Sequence, residues 1–164
     1  MLQIMPVFSE HVFEVGATGL GLLLSANGVG ALIGTFGVAA LTSLPRLGLI
    51  QLGFGFGFAL SIVGFALAPT MPMAVVMLGL FGAFQSSYMS LNSTMLMGNT
   101  DPKLYGRVLS VNLMTFAVTP IAALPLAWAA DHANPRTAVL VAGVLVAVAL
   151  GIAAVLNPAS RRAR

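Results

Sequence analysis

The sequence predicts an all-α integral membrane protein, and three observations lead to that fold class. Of its 164 residues, 59% are hydrophobic and only 7% are charged, whereas soluble domains carry about 25% charged residues. A soluble fold of this size leaves about a third of its unfolded surface in contact with water, so it could not shield so much apolar surface. The apolar residues also form continuous blocks long enough to span a bilayer as helices, whereas the strands of a membrane barrel alternate apolar and polar residues.

Five apolar blocks form the predicted membrane spans, which we name A to E. They cover about residues 17–44, 48–68, 71–97, 104–130 and 136–157. Short segments that contain Pro, Asn and Asp separate them, and these residues typically end one helix and begin the next. We therefore treat residues 1–164 as a single transmembrane domain, in which 1–8 is the remnant of a preceding helix and 158–164 is a basic cytoplasmic tail.

The positions of Lys and Arg predict how the spans are oriented, because basic residues are retained on the cytoplasmic side. Connections A–B and C–D and the C-terminal tail carry six of the seven basic residues: Arg46, Lys103, Arg107, Arg161, Arg162 and Arg164. The seventh, Arg136, lies on the other side. We expect a multi-pass protein of the inner or plasma membrane with a cytoplasmic C-terminus. This placement accounts for the net charge of +3 without a nucleic-acid partner.

Small residues recur every fourth position in three spans, which favours close packing of helices in lipid. They are Ala26, Gly30 and Gly34 in span A, Gly53, Gly57 and Ser61 in span B, and Gly82, Ser86 and Ser90 in span C. Span B also contains the alternating segment 54–58, whose period of two is typical of a strand. A lone strand in lipid would leave its backbone groups unpaired, so we predict a helix there as well.

Polar side chains form stripes along two spans. Gln85, Tyr88 and Asn92 share one face of span C because of their helical spacing, and span D repeats the pattern. A buried amide needs a partner or water, so these residues either line a polar pathway or only join helices by hydrogen bonds. Span E has no polar side chain from Ala138 to Leu156 and, with span B, can face lipid. The candidates for lining a substrate pathway are Gln85, Tyr88, Asn92, Asn112, Thr115, Thr119 and Asn27.

Two prolines, Pro120 and Pro125, lie inside span D and are expected to kink it, because each removes a backbone hydrogen bond. Such kinks occur both in helices that gate a pathway and in static ones. No ionisable residue lies deep in any span, so no proton relay is evident. His11 and His132 are isolated, which argues against a metal site, and no phosphate-binding loop occurs. We therefore predict no enzyme, no cofactor and no metal.

Three stretches carry a resemblance to a known family. They are the glycine-rich residues 19–34, the loop 101–110 (Asp-Pro-Lys-Leu-Tyr-Gly-Arg-Val-Leu-Ser), which is the most specific, and residues 122–136 with Pro125 and Asp131. Their order resembles the C-terminal half of a major facilitator superfamily transporter, in the bacterial branch that includes multidrug and siderophore exporters. The resemblance covers essentially the whole chain.

The resemblance implies that spans A to E are helices eight to twelve of a twelve-helix fold, that is, part of one six-helix half. It implies cytoplasmic-loop roles in gating for Asp101, Gly106, Arg107 and Arg46. Two features depart from the family pattern. Tyr105 occupies a position where the family usually has Arg, and the A–B loop keeps only Arg46 of several expected charges.

The expected function is that of a secondary transporter fragment that exports a small molecule across the cytoplasmic membrane. Such transporters rock two halves around a site at the midplane, so the fragment is not expected to act alone. Its expected partners are the lipid bilayer, the missing helices one to seven and an unknown small-molecule substrate. The alternative is a small membrane protein that does not transport and instead oligomerises or scaffolds partners through its glycine ridges.

Overall fold

The computed structural model describes residues 16–41, 47–98, 100–114 and 135–156, and all regular structure in these ranges is helical. The helices, in chain order, are α1 (Gly16–Leu41), α2 (Leu47–Ala66), α3 (Met71–Gly98), α4 (described over 105–114) and α5 (Pro135–Leu156). The predicted all-α fold class is confirmed. The segment 54–58 lies within α2, so it is helical despite its alternating sequence.

Three of these helices are long and apolar enough to cross a membrane. They are Thr18–Leu41, Leu47–Ala66 and Met71–Gly98, and each reaches the roughly 20 residues that span a hydrocarbon core. In α5 the apolar stretch Thr137–Ile152 is shorter. Continuous helices suit this environment because every interior backbone group is paired within its own helix.

The connection from α3 to α4 is built around Asp101. Its Oδ1 accepts a hydrogen bond of 2.9 Å from the backbone N–H of Lys103, and its carbonyl oxygen accepts one of 2.8 Å from the N–H of Leu104. Asp at the cap and Pro at the first helical position favour a helix start, and a 3₁₀ turn, Pro102–Leu104, begins here. The Tyr105 hydroxyl then donates to the Met97 carbonyl at 3.3 Å, which ties α4 to the last turn of α3.

Helix α3 is the centre of the described bundle. It packs against α1 on one side and against α2 on another, and α2 in turn packs against α5. Gly30 and Gly34 of α1 meet Gly79 and Ala83 of α3 in the same order, so these two helices run parallel. Gln51 lies beside Asn92 and Gly64 beside Met77, so α2 runs antiparallel to α3, as expected for successive spans.

The buried apolar core lies at the end of the bundle where α2 ends and α3 begins. Its members are Leu23, Ile62, Phe65, Ala66, Ala68, Ala74, Leu78, Phe81 and Val139. These side chains close that end by apolar packing. The opposite end, where α3 ends and α4 begins, holds polar side chains, among them Asn92 and Arg107.

Candidate functional site

Helices α1 and α3 meet along a seam of small residues, which we name the glycine seam: Ala26, Asn27, Gly30, Ala31, Gly34, Gly79, Gly82, Ala83, Ser86 and Ser87. A Cβ atom on Gly30 would overlap the carbonyl oxygen of Gly79, and one on Gly82 would overlap that of Asn27. The two backbones are therefore in direct contact, which confirms that these glycines act in helix packing. Direct backbone contact leaves no room for a substrate at this position.

Hydroxyl groups of α3 add hydrogen bonds across the glycine seam. Ser86 donates to the Ala31 carbonyl at 2.8 Å, and Ser87, which is only 2% exposed, donates to the Gly34 carbonyl at 3.1 Å. Both acceptors are backbone carbonyl groups of α1, so these two hydrogen bonds need no polar side chain on α1.

Asn27, a predicted pathway residue, lies in this seam. Its Oδ1 is shielded from solvent and has no hydrogen-bond partner within the part of the chain that the structure describes. A Cβ atom on Gly82 would come within 2.8 Å of that oxygen. The structure thus places Asn27 against α3 and away from the other pathway candidates.

Aromatic rings fill much of the contact between α2 and α3. Phe58 and Phe81 stack with ring centroids 4.9 Å apart, and Phe54 lies 6.2 Å from Phe84. Gly57 accommodates the Phe84 ring, since a Cβ atom there would lie 2.9 Å from three of its carbons.

Two predicted pathway residues, Gln85 and Tyr88, open onto a small pocket of about 230 Å³ between α2, α3 and α5. The rest of its described lining comes from Gly55, Phe58, Met89, Val146 and Leu150. Asn112 does not contribute to this pocket. Gln85 and Tyr88 are therefore separated from the candidates of α4.

The larger site is an open recess of about 530 Å³ between the last turns of α3 and helix α4. It brings together three predicted residues from two different helices, Asn92, Arg107 and Asn112. The remaining walls of this recess, which we name the α3–α4 recess, are apolar: Leu96, Leu104, Val108 and Val111. Gln51 of α2 supports one wall, because its Nε2 donates to the Asn92 Oδ1 at 3.3 Å.

The other loop candidates have different positions. Asp101 is exposed and caps the turn before α4, and Gly106 is exposed with open space around it. Thr115, Thr119, Pro120, Pro125 and Arg46 lie outside the described residues. Their expected roles in the pathway, the kink and the gate stay predictions.

Sequence reasoning did not select two residues that the structure places at helix contacts, Gln51 and Ser87, whereas Ser86 was expected on a packing ridge and lies on one. Gln51 stands alone near the start of α2, so no stripe marked it. Ser86 and Ser87 adjoin Gln85 in the sequence, but the helical turn directs them to α1 while Gln85 lies on the side of α2.

The family model of the Major Facilitator Superfamily matches residues 2–164. The chain belongs to this superfamily. Comparisons with curated proteins and with solved structures give no match. Members of the major facilitator superfamily are secondary transporters of the membrane and are not enzymes, which favours transport over the scaffold alternative.

Within the described part of this major facilitator chain, the α3–α4 recess is the best candidate for a site. It is concave, it lies in the usual size range of small-molecule pockets, and it combines apolar walls with converging polar groups. An open recess of about 520 Å³ also borders the glycine seam, but the polar side chain in its described lining is Ser25 alone, so it lacks converging polar groups. The pocket at Gln85 has less than half the volume of the α3–α4 recess.

Proposed function

We propose that this chain forms part of a major facilitator transporter that exports a small molecule across the cytoplasmic membrane, with the α3–α4 recess on the substrate pathway. The observation that carries the proposal is the convergence of Asn92, Arg107 and Asn112 on one open recess. Small-molecule sites typically combine apolar walls with a few converging polar groups, and this recess has both.

Two features support the outward direction in this proposal. The distribution of Lys and Arg assigns the end with Lys103 and Arg107 to the cytoplasm. The recess then opens on the side from which an exporter takes up its substrate, while the apolar core around Phe65 and Leu78 closes the outer end. Stretches 19–34 and 101–110, which resemble exporters of the bacterial branch, support the same direction.

The proposal includes further helices as partners. Transporters of this superfamily operate through two helical repeats that rock around a central site. We therefore expect the DNA upstream of Met1 to encode six or seven more spans in frame or after a frameshift. A promoter and ribosome-binding site at Met1 would contradict this part of the proposal.

Efflux from cells tests the transport function. Bacteria without their own efflux pumps, carrying this chain with its upstream helices, are loaded with anionic, neutral and cationic dyes, and loss of each dye is followed over time. We expect at least one dye to leave faster than from cells with an empty vector. The double variant Asn92→Ala/Asn112→Ala should slow that loss about thirtyfold, since each of the two lost hydrogen bonds contributes about 1 kcal/mol.

Thr94→Ala is the matched control for these variants. Thr94 is an exposed residue of α3 whose hydroxyl bonds only to Ser90 of its own helix at 2.9 Å, so efflux should not change. Retention equal to the empty vector for all dyes, with the protein present in the membrane, would refute the transport function.

A further inference from the structure

The polar side chains that line the α3–α4 recess present hydrogen-bond donors. The Arg107 guanidinium carries five N–H donors, no acceptor and a permanent positive charge. The Asn92 Oδ1 accepts one hydrogen bond from Gln51 Nε2, and the Asn92 NH₂ supplies two further donors. Asn112 is half-buried in the recess wall and adds a second amide.

The charged groups around the recess also favour an anionic ligand. Among the described residues the one carboxylate is Asp101, which is exposed, caps the following turn through Lys103 N–H and does not line the recess. Within the same ranges no ion pair neutralises Arg107, and it is the one charged side chain in the recess wall. A positive group among donors favours an anion, because hydrogen bonds to an ionised acceptor are about twice as strong as neutral ones.

The rest of the wall is hydrocarbon, from Leu96, Leu104, Val108 and Val111. This surface cannot serve a small hydrated anion, but it can bury the body of an amphiphile. A volume of about 530 Å³ suits a molecule of one or two rings.

We propose that the α3–α4 recess binds an organic anion with an apolar body, such as an aromatic carboxylate, through Arg107, Asn92 and Asn112. The proposal rests on the function proposed above and names the substrate class of that same site. Gln51 contacts this group of residues through its hydrogen bond to the Asn92 Oδ1. An acidic lipid offers the same chemistry, since its headgroup phosphate is an anion on an apolar body, and the experiment separates these two sources.

Equilibrium binding to the full chain in phosphatidylcholine nanodiscs tests the site. The two probes are radiolabelled 4-phenylbutyrate, which is ionised at pH 7, and its neutral amide; empty nanodiscs correct for uptake by lipid. We expect the carboxylate to bind at least about tenfold more tightly than the amide. Arg107→Gln should abolish that preference, and Arg107→Lys, which keeps the charge but not the planar fork, should retain part of it.

Lys103→Gln is the matched control, because it removes the same charge from the same end of the bundle but outside the recess wall. It should change carboxylate affinity less than about twofold, since exposed charges are screened within about 10 Å. Circular dichroism of each variant checks that its helices form. Equal affinity for the two probes, or an equal loss in Lys103→Gln and Arg107→Gln, would overturn the proposal.

Nanodiscs that contain phosphatidylglycerol distinguish the ligand sources. We expect carboxylate binding to stay within about twofold of its value in phosphatidylcholine, apart from the screening expected for surface charge. Displacement of the carboxylate in the wild type, with no such displacement in Arg107→Gln, would identify a lipid site and overturn the substrate assignment. Binding is measured without transport, so the two proposals can fail separately. If the carboxylate binds but no dye is exported, the proposed function alone is refuted. If a dye is exported but the carboxylate does not bind, this inference alone is refuted.

Discussion

Helix α3 meets its two principal neighbours in opposite ways. Against α1 it presents the glycine seam, where backbone touches backbone and two serines reach carbonyl groups. Against α2 it presents aromatic rings, with a pocket of about 230 Å³ beside them. At the first contact the atoms nearest to the glycines are backbone carbonyl oxygens, which cannot move aside, whereas at the second they belong to side chains. A side chain added to a glycine should therefore cost more stability at α1 than at α2.

The largest effect is expected from Gly30→Leu. A Cβ atom there overlaps the Gly79 carbonyl, and no side-chain rotation can relieve a clash with backbone, so α1 must separate from α3. We expect the free energy of unfolding to fall by about 3 kcal/mol, the upper end of the usual cost of overpacking. Titration of the full chain in mixed micelles with sodium dodecyl sulfate, followed by circular dichroism, measures this.

Gly37→Leu is the control for that variant, because Gly37 lies two turns further along α1 with no atom within 4 Å of its Cβ position. It should leave stability within about 0.5 kcal/mol or raise it, since glycine is a poor helix former. Equal losses in the two variants would show that the glycine seam does not hold α1.

A smaller effect is expected from Gly57→Ala. Its Cβ atom would lie 2.9 Å from the Phe84 ring, but the ring can tilt into the space beside it, so the loss should be about 1 kcal/mol. The same titration measures it, with Gly53→Ala as the control because nothing lies within 4 Å of the Cβ position at Gly53. Phe84→Leu should then cost less in the Gly57→Ala background than alone, and additive losses would disprove this contact.

Ser87→Ala should lower the free energy of unfolding slightly less than Gly57→Ala does. The variant removes one hydroxyl bond to the Gly34 carbonyl, and hydrogen bonds between membrane helices contribute about 0.6 kcal/mol on average. Thr94→Ala, whose hydroxyl bonds within α3, serves as the control in the same unfolding titration. A loss above about 2 kcal/mol for Ser87→Ala would mean that packing, and not the hydrogen bond, dominates at this position.

The smallest effect is expected from Gly64→Ala on the α2 side. The Cβ atom would lie 2.6 Å from the Met77 sulfur, yet methionine is unbranched and flexible, so the sulfur can swing away. Stability should stay within about 0.5 kcal/mol of the wild type in the unfolding titration. A loss as large as that of Gly57→Ala would show that the α2–α3 contact is as rigid as a backbone contact.

The faces of the helices could be predicted from the sequence, because helical spacing alone determines which residues share a face. Gly30 and Gly34 were expected on a packing face and are found on one. The partner of each face could not be predicted, because helix order in space leaves no local signal. Asn92 thus meets Gln51, and Gln85 opens onto a pocket with α5, although the stripe containing both was expected to follow a single pathway.

The candidate site could be predicted only in part, because the sequence shows which residues are polar but not which helices meet. Asn92, Arg107 and Asn112 were all selected from sequence, but on separate grounds: two from polar stripes and one from a loop. Their convergence depends on the 3₁₀ turn at Pro102–Leu104 and on the Tyr105 hydroxyl, which return α4 to the end of α3. The exact path of a short turn follows from backbone hydrogen bonds that composition does not reveal.

The central position of α3 has a consequence for how the protein is made. Helices α1 and α2 are neighbours in the chain, yet each finds its main partner in α3, and the ribosome completes both before α3 emerges. During that interval the glycines and the Asn27 oxygen of α1 lack the α3 surface that covers them in the bundle. Assembly of this bundle must therefore wait for its third helix, and a nascent chain stalled before Met71 would display exposed small-residue and amide surfaces to the machinery that inserts and surveys membrane proteins.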